Sequence, residues 1–311
     1  AITSMLYKKK EFNGFEINRR NSGGELMITA KSYFSGAGGM DLGLSLAGIE
    51  LIESYEIDSK CCNTLRRNFK HAIKEVDITK IKVLDQPESD VMIGTYPCTK
   101  YSQIADISGT RTGDELFLHF FRHVALAQPE MYVVENVPGM KKFQVVMESL
   151  TKLPNYYVRV ECPVNANMWL PQERKRLIVI GSKRPFDNLS YPESKTRVSL
   201  KDVIDVGIDV YTPGYVKKRM EGYYRDKPII TTIDGIAPTC VAHYAKDRST
   251  RLIDDGKQIR PYSVREWARL QGFPDWFAFE GSDNDAYRQI GNAVPVNMGE
   301  WIGRNIVKYF S

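Results

Sequence analysis

Between residues 31 and 181, short apolar runs alternate with stretches whose apolar residues recur every three or four positions. The strand-like runs are 32–34, 51–56, 90–93, 131–135 and 177–181. The helix-like stretches are 42–46, 61–69, 116–127 and 143–150. A strand followed by a covering helix returns parallel to itself, so this alternation predicts an α/β fold with a doubly wound, mostly parallel sheet. In such sheets functional groups collect at the carboxyl ends of the strands.

After Gly181 the pattern changes. Residues 183–260 are rich in Pro, Gly, Tyr and charge, with short β-like runs at 229–233 and 251–253. Helical spacing resumes at 264–270 and 296–309. The chain is therefore read in four parts: a flexible basic extension over 1–30, a catalytic domain over 31–182, an inserted recognition domain over 183–260, and a segment over 261–311 that returns to the catalytic domain.

Charge supports the insert as a module of its own. The chain carries a net charge of +5. Residues 183–260 hold 15 Lys/Arg against 11 Asp/Glu, and residues 1–31 hold 6 against 3, so the remaining body is slightly acidic. A basic insert on a near-neutral body suits a polyanion. No apolar run approaches the roughly 20 residues of a membrane helix, and the basic start at Lys8-Lys9-Lys10 has no apolar core behind it. Five Cys without CxxC or Cys/His spacing speak against a metal site and a disulfide framework, and so for a reducing, cytoplasmic setting.

Two strand ends carry reactive groups. Tyr96-Pro97-Cys98 follows the run at 90–94, and Glu135 ends the run at 131–135. A thiol and a carboxylic acid meeting there suit attack on an electron-poor ring carbon, with acid help at a ring nitrogen. A third strand end carries a Gly-rich turn, Phe34-Ser35-Gly36-Ala37-Gly38-Gly39, ahead of a helical stretch. Glycines let a ligand approach the backbone, and the helix start behind them favours a carboxylate. Glu56, at the end of the next strand, is placed to accept from both hydroxyls of a ribose.

With these residues on view, the chain from about Lys31 onward resembles the DNA (cytosine-5) methyltransferases, with the motifs in that family's order. Phe34–Gly39 resembles its methyl-donor loop, Pro97-Cys98 its nucleophile motif and Glu135-Asn136-Val137 its acid motif. Gln172-Glu173-Arg174-Lys175-Arg176 resembles its second pocket motif. Arg269-Leu270-Gln271-Gly272-Phe273-Pro274 and Gln289-Ile290-Gly291-Asn292-Ala293-Val294 resemble its two C-terminal motifs.

The resemblance implies transfer of a methyl group from S-adenosyl-L-methionine to C5 of a cytosine flipped out of a short, specific duplex DNA sequence, through a bond from Cys98 to C6. It assigns Glu135 to N3 and the exocyclic amine, and Arg176, with Arg174 beside it, to the cytosine O2. It places Phe34, Ser35, Gly36, Ala37, Gly38, Gly39, Glu56, Ile57, Asp77, Ile78, Pro97, Leu116, Asn292 and Ala293 around the donor. Ile57 takes a position often aromatic in the family. The polar segment 99–114 reads as a loop closing over DNA. Gln172 supports the pocket loop on the DNA side, while Lys217, Lys218, Arg219, Thr239 and Arg251 are expected DNA contacts, most of them to phosphate. Lys246, Arg248, Arg225 and Lys227 belong to the same basic set.

Two departures stand out: Thr99 follows Cys98 where Gln is usual, and Ser32-Tyr33-Phe34 stands where the family begins Asp-Leu-Phe. The expected enzyme is monomeric and works in a restriction–modification setting, with an endonuclease cutting the same site. The alternative is a tRNA cytosine-5 methyltransferase with the same motifs.

Overall fold

The computed structural model describes residues 27–97, 115–186, 189–192, 198–222 and 229–311. Cys98, Thr99, Arg225, Lys227, the loop over 99–114 and most of the extension over 1–30 lie outside the described residues.

The strands of the main sheet are β1 (Thr29–Tyr33), β2 (Glu50–Glu56), β3 (Ala72–Glu75), β4 (Val91–Gly94), β5 (Met131–Asn136), β6 (Tyr157–Asn165) and β7 (Lys175–Ser182). They lie in the order β3-β2-β1-β4-β5-β7-β6. The pairs from β3 through β5 are parallel, whereas β7 runs antiparallel to both β5 and β6. The expected doubly wound, mostly parallel sheet is thus present. The chain leaves β1 toward β2 on one side and meets β4 on the other, so the crevice beyond β1 and β4 is the switch point where such sheets bind ligands.

Residue alternation on the central strands supplies two cores. Ala30 faces α1 (Gly39–Leu46) and α8 (Val296–Phe310), in a cluster with Met40, Leu44, Met298 and Ile302. Tyr33 faces the other way, toward α3 (Glu115–Ala127) and α4 (Gln144–Thr151), with Phe117, Phe120, Val124 and Leu150. α2 (Ser59–Asn68) covers the edge near β3, and Asp58 caps it by accepting from the amides of Lys60 and Cys61.

Gly39 and Gly43 explain how the C-terminal segment comes home. A Cβ on Gly39 would run into the Val294 carbonyl oxygen, and one on Gly43 into the backbone of α8 at Val296 and Glu300. Only glycine lets α1 lie this close to α8 and to the turn before it.

The insert carries α5 (Gly214–Glu221) and a small sheet of β8 (Ile229–Thr232), β9 (Arg251–Asp254) and β10 (Ile259–Arg260), ordered β10-β9-β8. Its core does not stop at residue 260. Leu200, Tyr244 and Ile253 pack in one cluster with Tyr262, Trp267 and Phe273 from the region of α6 (Val264–Leu270), and with Tyr287 of α7 (Asp283–Asn292). Tyr244 and Trp267 stack with ring centroids 4.2 Å apart.

β3, β6, β10, α5 and α7 were not expected from periodicity. β3 is a four-residue edge strand with mostly exposed side chains. β6 contains Pro163, and its register with β7 shifts between Glu161 and Val164, where proline is tolerated. α7 is largely polar and is fixed by a Ser282–Asp285 capping box rather than by an obvious apolar stripe.

Candidate active site

Beyond the carboxyl ends of β1, β2, β4 and β5 lies a cavity of about 350 Å³. One part of its wall is the turn leaving β1. Phe34 sits at φ 61° and Gly36 at φ 55°, both left-handed. Such a conformation costs an ordinary residue roughly 1–2 kcal/mol, and neighbours hold it: the Thr95 hydroxyl donates to the Phe34 carbonyl at 2.9 Å, and the Ser35 amide to the Tyr55 carbonyl at 3.2 Å.

Glu56 completes this wall. Its Oε2 accepts from the Gly36 amide at 2.8 Å, while Oε1 accepts from the amides of Ile57 and Asp58 at 2.8 and 2.9 Å. Three backbone donors therefore fix the carboxylate, and Oε2 keeps a lone pair for a ligand. Ile57 is 66 % exposed and presents an apolar surface to the cavity.

Asp77 does two things here. It caps the turn at 78–80, with Oδ1 accepting from the Thr79 amide at 2.9 Å, and it lines the cavity beside Ile78. The Thr79 hydroxyl and amide hold its carboxyl below the usual carboxylate range. Leu116, Pro97, Asn292 and Ala293 also line the cavity, so the C-terminal segment lies beside the turn that leaves β1. Ala37, Gly38 and Gly39 do not line it. They build the start of α1, with Gly38 as N-cap at φ 85°.

The second part of the wall holds the acid. Glu135, at the end of β5, and Arg176, at the start of β7, are both about nine-tenths buried and pair at 2.8 Å between Oε1 and Nε. Asn136 donates from Nδ2 to the Tyr96 carbonyl at 3.2 Å and accepts from the Val137 amide at 2.8 Å. It thus pins the chain at Tyr96-Pro97 against β5. The described wall ends at Pro97, the residue before Cys98.

Arg174 does not share this wall. It precedes β7 and is 2 % exposed, donating to the carbonyls of Cys240 at 2.5 Å, Ala293 at 2.7 Å and Gly291 at 3.2 Å. It ties the insert to the C-terminal motif behind the cavity. Gln172 is fully buried. Its amide donates to the Leu270 carbonyl and to Gln271, and its carbonyl accepts from the Cys240 amide. It braces the backbone where these segments meet.

Thr239 donates to the Glu173 carbonyl at 2.6 Å, and Arg251 donates to the Thr239 carbonyl at 2.9 Å, so both brace the same junction. On α5, Lys217 and Lys218 are exposed, while Arg219 pairs with Asp247 at 2.6 Å.

Sequence reasoning missed Arg288 and Asp58. They line the cavity and pair with each other at 2.7 Å, joining α7 to the cap of α2. The one available signal was the position of Arg288, immediately before Gln289 and four residues, one helical turn, before Asn292. The other cysteines behave as structural thiols. Burial pushes Cys62 and Cys240 up to about 12 and Cys61 higher still, which disfavours the thiolate.

The sequence profile of the C-5 cytosine-specific DNA methylases matches residues 28–231 and 215–308. Among characterised relatives, the type II methyltransferase M.NgoPII of Neisseria gonorrhoeae is 31% identical over 325 residues, covering 89% of this chain and 94% of that protein. The type II methyltransferase M.Eco47II of Escherichia coli is 29% identical over 361 residues, covering 97% and 86%. Two solved structures share the fold. The Entamoeba histolytica methyltransferase EhMeth superposes with a TM-score of 0.78 at 17% identity, covering 92% of this chain and 100% of that one. A putative DNA modification methyltransferase encoded within an Escherichia coli prophage superposes with a TM-score of 0.71 at 22% identity, covering 91% and 99%. This chain belongs to the C-5 cytosine-specific DNA methylase family. It is a DNA (cytosine-5) methyltransferase, similar to the type II methyltransferases of restriction–modification systems.

Proposed function

We propose that the cavity binds S-adenosylmethionine along its Phe34–Glu56–Asn292 wall, and a cytosine turned out of duplex DNA beside Glu135, Arg176 and Cys98. The observation that carries this reading is the sharing of one cavity by Glu56 and the Glu135–Arg176 pair, with Pro97 at its wall. The residues fit the donor: Glu56 offers a fixed carboxylate, with Oε2 open, for the ribose, Ile57 an apolar face for adenine, and Asp77 an acceptor for the adenine edge. Bound there, the donor supplies an electrophilic methyl group on a sulfonium.

The chain's own residues do the rest. Cys98, as thiolate, adds to C6 of cytosine and turns C5 into an enamine-like carbon. Glu135 holds the proton at N3 and accepts from the exocyclic amine, and Arg176 stabilises the charge developing at O2. The Arg176–Glu135 pair preorganises both groups before the base arrives. After C5 has taken the methyl group, loss of its proton returns the electron pair that expels the Cys98 thiolate. A base inside a duplex cannot meet these groups, so the base must leave the stack. The segment over 99–114 is assigned to closing over it.

The exposed Lys217 and Lys218 on α5 are assigned to phosphates, and the insert around them to reading the site. We assign the enzyme, as a monomer, to marking that site against a cognate endonuclease. The test is expression in an unmethylated host, with cytosine methylation read at single-base resolution, beside a labelled-donor assay on duplex DNA and tRNA. Methylation at one short DNA sequence is expected. Transfer to tRNA with none to DNA would overturn the substrate assignment.

A further inference from the structure

Asp41 lies in the first turn of α1, 0 % exposed, directly behind the donor loop. Two strands supply its partners. Ser32 Oγ, from β1, donates to Oδ1 at 2.6 Å, and Ser54 Oγ, from β2, donates to Oδ2 at 2.6 Å. Ser35 Oγ, in the cavity wall, donates to Ser32 Oγ at 2.9 Å. Ser54 Oγ also lies 2.7 Å from Nε2 of His71. These partners are hydroxyls. Among the described residues no Lys or Arg pairs with this carboxylate. A buried carboxylate without a counter-ion is costly unless its lone pairs are satisfied, and the apolar core around α1 does not need one.

We propose that Asp41 is a positioning residue for methyl transfer: its carboxylate gathers Ser32, Ser35 and Ser54 and so holds the donor loop in the turn that binds the donor. The proposal rests on the donor-site reading given above. The loop leaves β1 just past Ser32, and Glu56 leaves β2 two residues past Ser54. Asp41 therefore joins the two strands at the level from which both halves of the donor wall spring. The turn needs this support, because Phe34 is left-handed without being glycine. The departure from Asp-Leu-Phe gains a reason as well. Where the family places a carboxylate at the first position, this chain has Ser32, and the helix returns a carboxylate 2.6 Å from its hydroxyl.

The protons of the cluster link it to pH. Ser32 and Ser54 each have one proton and give it to Asp41, and Ser35 gives its proton to Ser32. His71 must then carry its proton on Nε2 and donate it to Ser54. Every bond is satisfied with Asp41 ionised. Protonation turns one of its oxygens into a donor and reverses one of the two short bonds. Burial pushes the Asp41 carboxyl up to about 6 despite the three hydroxyls that favour its ionised form.

Among the described titratable groups, His71 reaches this cluster, through Ser54. Lys31, Glu53 and Tyr55 alternate onto the opposite face of the sheet, Glu56 turns into the donor loop, and α8 meets α1 through Val296, Gly299 and Gly303.

The experiment is calorimetry of S-adenosylhomocysteine binding between about pH 5 and about pH 8, across the range where a carboxyl raised to this degree titrates. Wild-type affinity is expected to fall as pH drops through the region near 6. Asp41→Asn, which mimics the protonated carboxyl, should bind about tenfold more weakly at neutral pH, the scale of one charge-assisted hydrogen bond, and should lose the pH dependence. His71→Gln, which removes the other titratable group, should keep the fall. Ser32→Asp/Asp41→Ser, which moves the carboxylate to the strand, should restore affinity.

A folded Asp41→Asn protein with wild-type affinity and wild-type pH profile would overturn the proposal. If that variant does not fold, Ser54→Ala decides. Losing a hydroxyl that favours the ionised form should move the midpoint of the fall upward, and an unmoved midpoint overturns the proposal. Glu56→Ala in the same series separates the two readings. If it too binds like wild type, the donor site itself is misassigned. If it loses affinity while the Asp41 and Ser54 variants do not, only the role of Asp41 fails.

Discussion

Removing the Glu56 carboxylate tests the donor site at its best-defined atom. Glu56→Ala deletes the acceptor of three amides, those of Gly36, Ile57 and Asp58. These amides face a cavity that water can enter, so the fold should survive and the loss should fall on the donor. The ribose would lose a charged acceptor, and part of that loss is recovered from water. The expected weakening is about 1–3 kcal/mol, which is between about 5-fold and about 140-fold in Kd at roughly 1.4 kcal/mol per tenfold. Glu56→Gln keeps one uncharged acceptor and should fall between wild type and Glu56→Ala. Calorimetry with S-adenosylhomocysteine gives both Kd values, and circular dichroism confirms the fold. An unchanged Kd in folded Glu56→Ala would refute the reasoning, because among the described residues no other carboxylate is fixed beside the Gly36 amide.

Three further outcomes are expected. Arg174→Ala should lower stability by about 2–4 kcal/mol, since it leaves the buried carbonyls of Cys240, Gly291 and Ala293 without a charged donor, and denaturant unfolding measures this. Lys217→Ala with Lys218→Ala should weaken DNA binding and flatten its salt dependence by up to about one unit for each phosphate no longer neutralised, read from affinities across a salt series. Stability should fall on acidification below about pH 4, through the buried Asp255–Arg260–Glu266 network. Burial alone would raise Asp255, but the amides of Lys257, Gly207 and Gln258 and the Arg260 guanidinium outweigh it and hold the carboxyl at about 2. Its folded value is thus depressed, its contribution is present above the ordinary carboxylate range, and it is lost as pH falls toward 2. Thermal melts of Arg260→Met, which removes the charged partner, should show a smaller acid loss.

The central sheet was legible because its strands are buried on both faces and read as apolar runs, and the covering helices carry their own period. β3 escaped because an edge strand has little to bury. The cavity was legible at strand ends, where Phe34, Glu56, Pro97 and Glu135 all fall. Arg174 shows where the reasoning ran out. Two residues apart on a regular strand, Arg174 and Arg176 would point the same way. Arg174 instead precedes β7, in irregular chain beside the Gln172–Ala237 bridge, and its side chain turns to the carbonyls behind the cavity. Gln172 lies in the same irregular stretch, and its side chain is spent on bracing the backbone at Leu270 and Cys240. The Asp58–Arg288 pair joins residues 230 positions apart, and nothing in local spacing announces it.

The most direct measurement of the central claim is a covalent trap. Duplex DNA carrying 5-fluorocytosine at the target position is incubated with enzyme and S-adenosylmethionine, and the adduct is mapped by mass spectrometry. Fluorine at C5 blocks the final elimination, so the protein should remain joined to a methylated base through Cys98, and Cys98→Ser should form no adduct while still binding the donor. Active enzyme that forms no adduct, or an adduct at another residue, would contradict the account.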